Sequence, residues 1–180
     1  MKRLSIALVA SAAVVLFGCG KGNFSERSAD TQPGSKTLRY AIINEPTSLD
    51  PATVQDGDTL DLLQNVYEGL VGWSPNNEPV GLLAEKWDVS PDGKVYTFHL
   101  RKDVKFHNGK AMTADDVKWS IERACTPSVT STTADEYMND IVGVHEMCKG
   151  TAKDVSGVKV VDPATVEITL VKAVPYFLGK

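Results

Sequence analysis

Three histidines stand where chemistry could begin: His99, His107 and His145. Two of them share one stretch, YTFHLRKDVKFHNGK at residues 96–110, with Arg101, Lys102 and Asp103 between them. An imidazole can ligate a metal or carry a proton near neutral pH. Metal sites written into short motifs place ligands four apart on a helix or in paired Cys-x-x-Cys runs. No histidine here has that spacing, and the only cysteine near one is Cys148, three after His145. No Gly-x-Ser-x-Gly elbow offers a nucleophile, and no glycine-rich loop is spaced to cradle phosphate. Asp115 and Asp116 could pair as acid and base. They precede an apolar run of helical period, however, and read as first-turn charges facing the helix dipole. The residue types therefore point to no catalytic group, no metal and no cofactor.

The elements around these residues explain their positions. In residues 95–101, Tyr96, Phe98 and Leu100 alternate with Val95, Thr97, His99 and Arg101. Period two predicts a strand with a core face and a more polar face carrying His99. Trp87-Asp88-Val89 is its hairpin partner across Ser90-Pro91-Asp92-Gly93-Lys94, where Asp-Gly marks the turn. Asn108-Gly109 turns the chain again. Thr113-Ala-Asp-Asp116 reads as a capping box with Asp in place of Glu. The helix that follows carries Val117, Ser120, Ile121 and Ala124 and stops at Thr126-Pro127. Residues 134–147 read as a further helix broken at Gly143, and Val158–Val161 with Thr165–Leu170 as a second hairpin.

Upstream, Leu38–Asn44 predicts a strand, apolar enough for the centre of an α/β sheet. Glu45–Pro51, with two prolines, is a shaped loop. Leu60, Leu63, Tyr67 and Leu70 fall on one face of a helix capped by Asp56 or Asp58 and ended by Gly69. Val71-Gly72-Trp73 is a short strand, and residues 76–79 turn the chain. The final VPYFLGK has no following element to pack on. The chain is thus expected to be the N-terminal part of a longer protein and to leave apolar surface exposed.

Composition fits one domain with a real core: 42% of 180 residues are hydrophobic and 23% charged. A net charge of −4 and no basic stripe argue against a nucleic-acid partner. The first residues stand apart. Met1-Lys2-Arg3 is basic, and Leu4–Phe17 is apolar but too short to span a bilayer, which needs about 20 residues. Residues 1–18 read as a signal peptide. Leu16-Phe17-Gly18-Cys19 resembles the lipobox of bacterial lipoproteins, with Phe17 departing from the usual small residue. An acylated Cys19 would anchor the protein firmly to a membrane. Losing Lys2 and Arg3 takes the 19 basic side chains to 17, against 23 acidic, a mature net charge of −6. Residues 19–36 are polar and glycine-rich, a flexible tether. Export leaves Cys125 and Cys148 as two thiols in an oxidising compartment. A disulfide between them would contribute about 3 kcal/mol by loop entropy. The alternative is two free, buried thiols.

Residues 84–106, AEKWDVSPDGKVYTFHLRKDVKF, followed by HNGKAMTADDV at 107–117, closely resemble the signature region of bacterial extracellular solute-binding proteins of the peptide/nickel group. Ser48-Leu49-Asp50-Pro51, Val66–Leu70, Val166–Leu170 and Val174–Phe177 are similar to further landmarks of that family. These proteins are the substrate-binding components of oligopeptide- and dipeptide-type ABC transporters. The resemblance implies a mixed α/β fold of the two-lobed, periplasmic-binding-protein type II kind, with an extra domain in its first half. Residues 37–61 would begin the first lobe, and residues 62–180 would form the extra α/β domain, cut short. It further implies no enzymatic activity, a peptide or similar solute as ligand, and permease transmembrane subunits as partners. The protein would be a monomer in the periplasm or cell envelope. Gln55, Asp56 and Gly57 are the positions that would approach the ligand. Gln55 stands where the oligopeptide pattern has Glu, which suits an uncharged contact. The resemblance puts most other ligand contacts beyond Lys180. An exported peptidase and a chaperone-like envelope lipoprotein are the alternatives.

Overall fold

A computed structural model describes residues 40–180, of which Ala41–Lys180 form one compact unit. The signal-peptide, lipobox and tether expectations, Cys19 included, lie outside the described residues. The centre is a four-stranded antiparallel sheet in the order β3-β4-β6-β5. Its strands are β3 (Ala84–Val89), β4 (Val95–Leu100), β5 (Val158–Asp162) and β6 (Thr165–Thr169). Two hairpins supply it, and β4 joins them by pairing with β6. Phe98 sits opposite Trp87 on one side and Val166 on the other, and Tyr96 opposite Ile168.

Alternation decides which face is buried. Tyr96, Phe98 and Leu100 on β4, and Val166 and Ile168 on β6, point into the core with Ala84 and Val158. His99 and Glu167 lie on the other face, as the period-two reading of β4 predicts. Helix α2 (Ala114–Cys125) packs across β5 and β6, with the short helices α3 (Ala134–Met138) and α4 (Val144–Cys148) beside it. Burial is what makes a 12-residue helix stable here, since such a length is marginal alone.

Turn chemistry places these elements. At the first hairpin Gly93 has φ +69°, and the Ser90 hydroxyl accepts the Val95 N–H at 2.9 Å. Helix α2 starts as the capping box predicts: the Asp116 carboxylate accepts the Thr113 N–H at 2.9 Å. Between α3 and α4, Gly143 has φ +87°, and a Cβ there would meet the Ser156 nitrogen at 2.8 Å. Only glycine fits both constraints. The predicted helix over 134–147 is thereby split in two, with residues 139–143 as the connection.

Three expectations are corrected. Residues 40–44 form no strand, and Ile43 is 89% exposed. A strand needs a hydrogen-bonded neighbour, and no described segment pairs with this one. Helix α1 (Gly57–Leu63) ends a turn and a half before Gly69. Thr59 and Leu63 are its buried residues and Leu70 packs on the core beyond it, whereas Leu60 and Tyr67 are exposed, so only part of the predicted apolar stripe packs. The terminal apolar segment does find a surface: Val174 is buried, and the Phe177 ring lies 4.9 Å from that of Tyr96. Downstream of α1, β1 (Val71–Trp73) pairs with β2 (Pro79–Gly81). Apolar side chains still stand in solvent, as expected, among them Leu49, Trp73, Trp119 and Tyr137. No described helix is long and apolar enough to cross a membrane.

The sheet's two faces should differ sharply in cost. Phe98→Ala should lose about 3–5 kcal/mol in urea unfolding, and Thr97→Ala, one residue away on the other face, under about 1 kcal/mol. Equal losses would contradict the assignment of faces.

Candidate ligand-binding site

The loop before α1 owes its shape to short polar side chains. The Asp50 carboxylate accepts the Ala52 N–H at 3.1 Å, an Asx turn. Ser48 and Thr53 share a hydroxyl hydrogen bond at 2.9 Å, and the Asp50 carbonyl accepts the Thr53 N–H at 3.0 Å. Val54 then buries its side chain and pins the end of the loop. Gln55, Asp56 and Gly57 follow directly. The Asp56 carboxylate caps α1 by accepting the Thr59 N–H at 2.8 Å. That interaction with Thr59 holds its carboxyl below the usual range. Gln55 is exposed, and a Cβ at Gly57 would meet nothing within 4 Å. The three residues are adjacent, with Gln55 and Gly57 exposed and Asp56 half-buried. Asp56 has a capping role that a ligand would have to share.

Two long-range contacts hold this loop, and neither is visible in the sequence. Arg123, in the last turn of α2, grips Asp50 with both guanidinium arms: Nη1 donates to Oδ1 at 2.9 Å and Nη2 to Oδ2 at 2.6 Å. A fork-on-carboxylate pair fixes orientation as well as distance. The Arg123 hydrogen bonds pull the Asp50 carboxyl below its ordinary value. The Gln55 amide donates to the Thr132 hydroxyl, which stands on the loop before α3. Beneath lies a shallow cleft of about 290 Å³ lined by Ala52, Ser120, Arg123, Thr133 and Tyr137, among others. The contacts span 73 and 77 positions, so no local pattern could have announced Arg123 or Thr132.

The other candidate groups occupy scattered positions. His99 Nε2 pairs with Asp88 at 2.8 Å across the hairpin, and His145 Nδ1 with Asp135 at 3.0 Å. His107 lines a separate surface cleft of about 490 Å³ with Tyr67 and Phe106. Asp116 is occupied by Thr113 and by Lys110, whose Nζ lies at 2.8 Å. Burial raises its carboxyl, but these hydrogen bonds outweigh burial and the net shift is downward. Among the described residues, no three His, Cys, Asp or Glu side chains come together as a metal-holding group. Cys125 and Cys148 are free thiols, the first buried and the second half-buried.

The described residues thus form a mixed α/β unit with an ordered polar loop leading into α1. Residues 78–180 match the family of bacterial extracellular solute-binding proteins, family 5, middle region, and the chain belongs to that family. The periplasmic oligopeptide-binding protein OppA of Escherichia coli is 36% identical over 137 residues, covering 74% of this chain and 25% of that protein. Heme-binding protein A of Haemophilus influenzae is 34% identical over 195 residues, covering 99% of this chain and 34% of its own length. Among solved structures, the E. coli murein tripeptide binding protein MppA superposes with TM-score 0.72 at 32% identity, over 76% of this chain and 27% of that one. H. influenzae OppA in complex with the peptide RPPGFSPFR gives 0.70 at 30% identity, over 74% and 26%. The chain thus spans about a quarter to a third of the length of these relatives.

The Asp50–Arg123 clamp should respond to acid. A carboxyl lowered by folding adds stability that is complete above its ordinary value of 3.8 and is lost as pH falls through the lower folded value. Asp50→Asn should therefore be less stable than the parent at pH 7, by about 1 kcal/mol for a half-exposed pair. The two should converge as the pH falls below 3.8. Urea unfolding over that acid range measures this, and a gap that persists throughout it would refute it.

Proposed function

We propose that this chain is the N-terminal portion of the substrate-binding component of an ABC importer. It captures oligopeptides, dipeptides or a related solute outside the cytoplasmic membrane and passes them to permease transmembrane subunits. Residues 37–61 begin the first lobe, and residues 62–180 make up the extra domain. Capture proceeds by closure of two lobes about a hinge, without covalent chemistry. The protein works as a lipid-anchored monomer: residues 1–18 are removed, Cys19 is acylated, and residues 19–36 tether the domain to the envelope.

The observation that carries this reading is the agreement over residues 78–180 with family 5, joined to a fold likeness that includes a protein solved with a bound peptide. The loop geometry supports it further. Gln55 lies between Val54, held with the Asp50–Arg123 clamp, and the start of α1, where Asp56 is the cap and Gly57 the first residue. A preorganised loop binds without a large ordering cost. Gln55 offers a neutral amide, suited to a peptide backbone group more than to a charged terminus.

Titration calorimetry on the entire polypeptide, with a mixed peptide library, should give saturable binding and no peptide turnover. Gln55→Ala should weaken it about three- to tenfold, the worth of one net hydrogen bond. Binding of haem or a nickel chelate but of no peptide would overturn the peptide assignment. Cys19→Ser should release the protein from the membrane fraction, and retention there would contradict the lipid anchor.

A further inference from the structure

Among the described residues, the cysteine pair is a group of reactive side chains that ligand capture leaves unused. Cys125 is the last residue of α2 and Cys148 the last residue of α4, and the two helices pack against each other. Their chains run on side by side: the nearest atom to a Cβ at Gly150 would be Cγ of Pro127, at 3.5 Å. Each of these lies two residues beyond its cysteine. Cys125 is 2% exposed within the core, and Cys148 packs against the same core from the half-buried side. Burial first, and then Cys148, pushes the Cys125 thiol up to about 12, and burial raises Cys148 as well. A thiol held so far from ionisation is a poor first nucleophile. No other cysteine lies among the described residues.

We propose that Cys125 and Cys148 are a disulfide-forming dithiol that staples the end of α2 to the end of α4. The oxidant is a small or protein disulfide. The half-buried Cys148 loses its proton and attacks one oxidant sulfur. This breaks the oxidant's S–S bond, forms a mixed disulfide and expels one thiolate. Cys125 then attacks Sγ of Cys148, expels the second thiolate and gives up its own proton. Two protein thiols are oxidised by two electrons, and one oxidant disulfide is reduced to two thiols. The loop closed in this way contains Thr132, the residue that holds Gln55. The staple therefore also restrains the segment behind the candidate ligand loop. The pairing rests on the folded geometry and not on export, so the two can fail separately.

The test uses the purified, reduced, folded protein exposed to glutathione disulfide. Remaining thiols are then blocked, and the protein is cut by a glutamate-specific protease. No Lys or Arg lies between the two cysteines, but Glu122, Glu136, Glu146 and Glu167 do bracket them. Peptides 123–136 and 147–167 should be recovered joined, and should separate on reduction. Recovery of both as blocked or glutathione-capped single peptides would overturn the proposal, as would either one joined to the peptide carrying Cys19. Reducing the linked protein should lower its melting temperature by about 5 °C or more. An unchanged melting temperature would overturn the stapling role. A dithiol in protein taken from cells, together with linkage by glutathione disulfide, would refute the envelope location and leave the pairing standing.

Discussion

The pairing of β4 with β6 is the contact on which the rest of the molecule hangs. Each strand belongs to its own hairpin, and the hairpins are separated by α2, α3 and α4. When Phe98 settles opposite Val166 and Tyr96 opposite Ile168, two local units become one sheet with one apolar face. The intervening helices then have a surface to cover. Non-local pairings of this kind carry a loop-closure cost that only burial repays. Here the repayment comes from a row of aromatic and β-branched side chains, several of them almost wholly inaccessible.

From that sheet the order spreads outward to the candidate ligand loop. Helix α2 is fixed by the core on its inner side and presents Arg123 on its outer side. Arg123 holds Asp50, and Asp50 organises the turn that leads through Val54 to Gln55. The candidate contact residues are thus tied to the core through a chain of three contacts.

The features legible in the sequence were those with a local cause. Period-two alternation marked the buried face of β4. Asp92-Gly93 marked its turn, and Thr113 with Asp116 marked the start of α2. Motif order over residues 84–117 also carried enough information to identify the family. Features with a distant cause were not legible. Leu38–Asn44 has strand composition, yet residues 40–44 make no strand, because pairing depends on a neighbour and not on propensity. Leu60, Leu63 and Tyr67 share helical spacing, but of these only Leu63 is buried, beside Thr59, a choice made by the surface beneath α1. The loop candidates Gln55, Asp56 and Gly57 came from resemblance alone. Their supports, Arg123 and Thr132, became visible only in three dimensions.

The most direct measurement is a crystal structure of the entire polypeptide grown with a peptide it binds. The peptide should lie in a cleft between two lobes, with Gln55, Asp56 or Gly57 within hydrogen-bonding distance and the Asp50–Arg123 clamp intact. A peptide bound elsewhere, with residues 55–57 turned to solvent and no second lobe across from them, would contradict the account.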